Sequence, residues 1–422
     1  MRLLTALLLS VGLVFAQPAS PPESILLNRI RAHVARDLKR LPNYTCIETI
    51  DRTQRSGLAH EVDVADGLRL EVAMVDNKEL FAWPGADSFE DRQIGDLVQD
   101  GVIGSGNFAI NATSVFLTDA ASFIYVGDCE LEGKKAVLYT YMVPVSNSRY
   151  KIRVPPKQAM VGFHGAFWVD AGTLDLMRLE VVADNIPAEL GIAKVTEVTD
   201  YGRVEIRGEK FLLPKQSELV TLDLDGDENT NRARFSGCRQ FTGESVLTFG
   251  DVQPEAPGLK HAVTTPIDLP PDLGIELKLE TEVDANTSYV GDPVMASVAS
   301  NVKQKGRVVI PKGTLAHGRI TKLEMSFRDD EIRLGLRFST LQLENGRAPF
   351  RAKLKFTDAI IDRSRGAGTT ARSQVPIARV PVDDAMLPSG TLLVRIPGNR
   401  LKLPRGYRTF WRTISTGSEE TQ

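Results

Sequence analysis

From Tyr44 almost to the C-terminus, apolar side chains return at every second position in short runs, and each run stops at glycine, proline, asparagine or aspartate. A period of two puts alternate residues on opposite faces of a strand, so such segments must pair into sheets with one dry face. The clearest case is Tyr289–Ile320, where Val294, Ala296 and Val298 alternate with Met295 and Ser297, and Val308 and Ile310 alternate with Arg307 and Val309. Lys305-Gly306 supplies the turn between these runs, and Pro311-Lys312-Gly313 closes the second because proline cannot donate to a ladder. A third strand is expected over Leu315–Leu323.

Ahead of the β pattern stands one helix. Ser20-Pro21-Pro22-Glu23 has the form of a capping box with proline in the first turn. Leu27, Ile30, Val34, Leu38 and Leu41 then recur at three and four, with Arg29, Arg31, Arg36, Lys39 and Arg40 on the other faces, until Pro42. This spacing predicts a helix laid on a sheet. Strands are expected over 44–52, 68–75, 79–83, 123–126, 136–142, 150–154, 165–169, 177–182, 194–201, 203–206, 211–213, 218–224 and 232–247, with two helices near Asp91–Gln99 and Phe108–Leu117. Connections such as Asp170-Ala171-Gly172 and Asp225-Gly226 carry turn chemistry.

These patterns predict a mainly β chain. Its first domain (17–251) is α+β, a curved antiparallel half-barrel with an N-terminal helix, and its second (274–422) is a small antiparallel β-barrel or sandwich. Residues 252–273 hold Pro254, Pro257, Pro266, Pro270 and Pro271 with little periodicity, which predicts a semi-rigid linker. Residues 1–16 read as a signal peptide, with Arg2, an apolar core from Leu3 to Phe15 and a small-residue end at Ala16. No later apolar run approaches the roughly 18 residues of a spanning helix, so the mature chain is expected to have no transmembrane segment and to be periplasmic or secreted.

A net charge of -3 argues against a nucleic-acid partner, which would need a basic face. In an exported protein three cysteines allow one internal disulfide. Cys46 and Cys238 lie in β-like runs at opposite ends of the first domain, whereas Cys129 lies in a glycine-flanked stretch, so the expected bridge is Cys46–Cys238; three reduced, buried thiols are the other reading.

No catalytic set converges. His33, His60, His164, His261 and His317 stand singly, with no HExxH motif, and there is no GxSxG elbow, P-loop or dinucleotide fingerprint. His164, in the run Phe163–Phe167, reads as a packed histidine rather than a general base. Asp223–Asn229 has carboxylates two apart, but its glycine is misplaced for a calcium loop, so a solvated hairpin is expected. Asp329-Asp330-Glu331 and the basic stretch with Arg363, Arg365 and Arg372 read as solvated faces. No metal, no cofactor and no enzymatic activity are expected. Phe81, Trp83, Phe163, Phe167 and Trp168 fall in β-like segments and are the candidate ligand-binding residues. They would either line an apolar concavity suited to a chain-like ligand or fill a core.

Two resemblances add to this reading. The run Ser288–Val294, followed by Val308–Thr314 and Gly318, resembles the C-terminal β-barrel of TrbI-type scaffold proteins of type IV secretion systems, which implies a barrel over this segment. In that family an apolar helical hairpin inserts in the outer membrane, whereas here Ala359–Val380 is polar. The first domain is similar to uncharacterised secreted proteins of Gram-negative bacteria through LPNYTCIET, LRLEVAMVDNKELFAWPG, DYGRVEIRGEKFLLPKQSEL and FSGCRQFTGES, and more loosely resembles the LolA/RseB-type half-barrels. That likeness implies a helix, here Ser24–Leu41, across a curved sheet that holds acyl chains or lipidated proteins. The expected function is therefore that of a non-enzymatic periplasmic protein binding a lipid, a lipidated protein or an envelope partner. The alternative is a structural or adaptor component of a cell-envelope assembly acting through its C-terminal barrel.

Overall fold

The computed structural model describes residues 22–57, 61–75, 78–86, 89, 94–97, 110–241, 269–344, 346–358, 379–381, 391–395 and 401–414. Residues 1–16, expected as a signal peptide, His60, His261, most of the proline-rich stretch 252–273 and Arg363, Arg365 and Arg372 lie outside them. Among the described residues the protein is mainly β. The first helix, α1 (Pro22–Arg40), carries Glu23 in its first turn and Lys39 and Arg40 in its last, as the helix dipole favours. It buries Ile30 and Val34 from the expected stripe.

Twelve strands follow in the first half: β1 (Tyr44–Arg55), β2 (Val62–Val75), β3 (Lys78–Ala82), β4 (Ser122–Leu131), β5 (Lys134–Val143), β6 (Lys151–Val154), β7 (Lys157–Met160), β8 (Gly162–Asp170), β9 (Leu176–Asp184), β10 (Ile192–Ile206), β11 (Glu209–Asp223) and β12 (Glu228–Gln240). Short helices at Ile94–Leu97 (α2) and Ile110–Phe116 (α3) interrupt the series inside the two expected helical stretches. Ten of the strands form one antiparallel sheet in the spatial order β3-β2-β1-β12-β11-β10-β9-β8-β5-β4. β6 and β7 make a separate hairpin. The expected strands 194–201 and 203–206 are one strand, β10, and 211–213 and 218–224 are one strand, β11. Gly202 and Pro214 sit inside these long strands where the register shifts rather than ending them, because the ladder continues on both sides of the shift.

The sequence closes β1 between its own neighbour β2 and the distant β12, so the first and last strands of this half lie side by side. A disulfide joins Cys46 to Cys238 across that pairing, with the two residues 192 apart in sequence. Cys129, on β4, is a free thiol.

The second half adds β13 (Gly274–Leu279), β14 (Val283–Asp284), β15 (Pro293–Val298), β16 (Val302–Gln304), β17 (Arg307–Ile310), β18 (Leu315–Ser326), β19 (Glu331–Leu343), β20 (Gly346–Pro349), β21 (Ala352–Asp358), β22 (Arg379–Pro381), β23 (Thr391–Arg395), β24 (Lys402–Leu403) and β25 (Arg408–Thr413). Lys305 and Gly306 both take positive φ, as the turn between β16 and β17 requires, and Gly313 does so after β17. β19, β18, β15, β13, β25 and β21 are neighbours in that order, and the run β20–β21 passes from β19 to β25. The strands wrap a dry interior in which Leu277, Leu279, Val294, Ala296, Ile320, Leu334, Leu336 and Trp411 are all buried.

The two halves share hydrogen bonds and a core. One edge of β2 is divided: Glu71–Val75 pair with β3, and Val64–Asp66 pair with Ser326–Glu324 of β18. Between these lies a bridge from Leu68 to Val290, with Arg69 N–H donating to the Val290 carbonyl and Val290 N–H to that of Gly67, both at 2.8 Å. Leu68, Leu70 and Val72 belong to the same buried cluster as Leu277, Val290 and Ile320. The residues Tyr289-Val290-Gly291-Asp292 therefore form the seam. The Tyr289 ring lies where a side chain at position 67 would be, and the Trp83 ring lies where one at position 291 would be, at φ +99°. Glycine at both positions allows the close approach.

Candidate functional site

The helix-covered face of the first sheet is built by register. Ile50, Ala233, Ser217, Thr199 and Leu179 are direct partners across β1, β12, β11, β10 and β9, so they share one face. The same face carries Glu197 one pleat away, in step with Val195 and Thr199. At the β5–β8–β9 end it is aromatic. Phe167 is fully buried, stacked on Tyr139 at 5.4 Å with 5° between planes, and met edge-on by Phe116 at 5.0 Å and Phe123 at 6.0 Å. Tyr141 and Phe163 continue the cluster, and α1 and α3 cover it through Ile30, Val34, Ala112, Val115 and Phe116.

Next to these rings the face turns polar. Glu197 is buried; its carboxylate accepts from the Asn111 side-chain amide of α3 at 2.8 Å and from the Ser217 hydroxyl at 3.2 Å. Burial, which these two hydrogen bonds only partly offset, pushes its pKa up to about 7. Tyr201 packs against the aromatic cluster with its hydroxyl buried and without a hydrogen-bond partner among the described residues. Burial and the nearby Glu197 raise the phenol well above its ordinary range.

A second group fixes α1 at the rim. His33 Nε2 lies 2.8 Å from Asp175 Oδ1 in the β8–β9 turn. The Arg203 guanidinium of β10 bonds Asp37 of α1 at 2.5 Å and also Asp175. Burial alone would raise the Asp175 carboxyl, but the Arg203 and His33 hydrogen bonds outweigh it and hold the group below the usual range. Arg31 adds a bond to Asp119 at 3.1 Å. The ligand atoms of His33, Asp37 and Asp175 lie within 4.8 Å of one another, a spacing a divalent cation could use, but Arg203 already bridges the two carboxylates.

The five aromatic candidates do not form one surface. Phe163 and Phe167 lie together under α1; Phe81 is buried and Trp83 half-buried in the cluster shared with the second half. Trp168 pairs with Arg178 and Leu138 and occupies the opposite face from Phe167, because adjacent residues of a strand point opposite ways. On that outer face Arg178, Asp200, Gln216, Glu218, Arg232 and Arg234 border an open groove of about 400 Å³. Its charges are paired: Arg178 with Asp200, Arg232 with Glu218, Arg234 with Asp51. His164 is half-exposed and bonded to Asp184 at 2.6 Å rather than packed between aromatics. Asp223–Asn229 forms the turn between β11 and β12, with Asp223 N–H donating to the Asp227 carbonyl.

The rim group and Glu197 escaped the sequence reading, though each left a trace. His33 and Asp37 stand four apart beside the apolar stripe of α1, and Glu197 occupies the inward phase of the alternation between Val195 and Tyr201.

No family model and no curated protein matches the sequence. Among solved structures the chain is similar to an outer membrane lipoprotein-sorting protein domain from Vibrio parahaemolyticus, at 13% identity and TM-score 0.28, covering 50% of this chain and 92% of that one. It is also similar to a DUF1329 family protein from Desulfovibrio piger, at 12% identity and TM-score 0.29, covering 52% of this chain and 94% of that one. Among the described residues no helix is long and apolar enough to cross a membrane.

Proposed function

We propose that this protein is a non-enzymatic periplasmic binding protein that takes a lipid or the acyl chain of a lipidated protein against the helix-covered face of its first sheet, beneath α1. The observation that carries the reading is the buried Tyr201 hydroxyl, without a partner among the described residues, beside an aromatic cluster that α1 covers. An apolar wall with a few convergent polar groups is what an amphiphile needs: rings for the chain, Tyr201 and the Asn111–Glu197–Ser217 set for the head. α1 is the natural lid. It contributes Ile30 and Val34 to the core, with Leu26, Leu27 and Leu38 packed against it, the Tyr139 hydroxyl donates to the Glu23 carbonyl at 2.8 Å, and its charged ties, His33–Asp175 and Asp37–Arg203, lie at the rim. With the lid closed, the rings fill one another's space.

The test is mass spectrometry of the purified, denatured protein together with titration of a fluorescent fatty-acyl probe. Co-purified acyl species, and probe binding abolished by an engineered disulfide that staples α1 to β10, are the expected results. Absence of both acyl species and probe binding overturns the reading.

The tight stacking of Phe167 on Tyr139 favours a second reading, in which the first half is a filled scaffold and the protein is a structural or adaptor component of an envelope assembly acting through the barrel. Cross-links from the full chain to envelope proteins, confined to residues of β13–β25, would support it.

A further inference from the structure

Arg319 of β18 and Arg337 of β19 are direct register partners, so two guanidinium groups leave one face of the sheet side by side. Like charges so placed repel one another. Other cations nearby have carboxylates: Arg69 pairs with Asp292, and Lys322 and Arg333 share Glu324. Among the described residues neither Arg319 nor Arg337 has one. Arg319 is also half-buried, its Cζ 5.7 Å from the centroid of the Trp83 ring. The Trp83 ring packs closely against Gly291 at the seam. Burial, with the Arg337 charge adding to it, makes the Arg319 guanidinium give up its proton more readily than usual. A doubled, partly desolvated positive charge is costly unless an anion shares it.

We propose that Arg319, Arg337 and Trp83 form a binding site for a phosphate-class oxyanion, at the seam and separate from the helix-covered face. Planar guanidinium forks match phosphate oxygens two at a time, and two adjacent cations match an anionic group that presents several oxygens. The indole face keeps Arg319 in place through a cation–π contact, so little side-chain freedom is lost when the anion binds. The phosphate is either free or the headgroup of a lipid.

The experiment uses the full mature chain. Inorganic phosphate is titrated at constant ionic strength against chloride while tryptophan fluorescence and thermal midpoint are followed. In parallel the protein is sedimented with phosphatidylcholine vesicles with and without phosphatidylglycerol. The expected result is a saturable response to one of the two probes, weakened tenfold or more by Arg337→Gln and by Arg319→Gln, with the fluorescence component removed by Trp83→Phe. A response to inorganic phosphate assigns a free oxyanion; sedimentation dependent on phosphatidylglycerol and on Arg337 assigns a headgroup. Arg337 is exposed, so Arg337→Gln keeps the test open should Arg319→Gln fail to fold. Silence with both probes, or equal responses from wild type and Arg337→Gln, overturns the site.

Discussion

Arg69 Nη1 donates to Asp292 Oδ1 at 2.6 Å across 223 residues of chain, while its Cζ sits 4.3 Å from the centroid of the Tyr289 ring. One side chain of β2 thus engages two of the four residues that begin the best-patterned segment of the second half. Asp292 also accepts from the Tyr289 N–H at 2.9 Å, so its carboxylate is fully employed although burial raises its pKa. Arg69→Met should therefore cost about 2 kcal/mol, because it leaves the partly buried Asp292 without its cation. Asp292→Asn in the same background should recover part of that loss. A double-mutant cycle in urea measures the coupling. Gly291→Ala should be worse than either, since its methyl group would meet the Trp83 ring and the Arg69 carbonyl.

Glu197 gives the fold a definite pH dependence. Its ordinary value is 4.5, and in the folded protein it titrates at about 7. Below the lower value the group is protonated in both states; between the two only the folded state keeps the proton, so stability falls as pH rises through this window and is flat above it. The loss is about 3 kcal/mol. Urea midpoints at pH 5 and pH 8 should diverge in the wild type and draw together in Glu197→Gln.

Removing Arg203 should loosen α1 selectively. Arg203→Ala leaves Asp37 and Asp175 facing each other with only His33 between them, a cost of about 1–3 kcal/mol. Hydrogen exchange should rise over residues 22–40 more than in β10 to either side. Uniform exchange changes would count against the rim ties acting as a latch.

The disulfide should dominate the stability of the first half. Opening a loop this long costs about 4–5 kcal/mol in the chain-entropy account. A Cys46→Ser, Cys238→Ser variant, or mild reduction, should lower the urea midpoint accordingly, and a thiol count on the unreduced native protein should not exceed the one free cysteine, Cys129.

Phe167 tests the packing beneath the lid. Phe167→Ala removes a fully buried ring from contact with Tyr139, Phe116 and Phe123 and should cost about 3–5 kcal/mol. If the variant stays folded, the cavity left by the ring should take up an apolar fluorescent probe more tightly than the wild type does.

Much of this architecture is legible in the residues themselves. Alternation such as Val294, Ala296 and Val298 marks its own inward face, and the turn at Lys305-Gly306 declares itself by glycine. The stripe Ile30 and Val34 identifies the covering face of α1. What the sequence hides is which face a residue joins once strands are long. Phe167 and Trp168 look alike in a run of aromatics, yet one residue of phase separates core from surface. The seam is hidden for another reason: Gly67, Arg69, Gly291 and Asp292 have local roles that each look ordinary, and only tertiary docking makes them partners. The rim group fails for the same cause, since Asp175 and Arg203 come from a turn and a strand far from α1.

The placement of β1 between β2 and β12 has a consequence for the order in which this chain can be completed. As it lengthens from its N-terminus, β1 finds β2 at once but keeps its other edge bare until about residue 240 is delivered. Throughout that interval Cys46 has Cys129 as its first available thiol, and the correct partner arrives last. Oxidation that outruns synthesis would trap a wrong pairing, so faithful maturation of this protein calls for a thiol-shuffling helper, or for a compartment in which bridging waits until the strand carrying Cys238 has closed the gap.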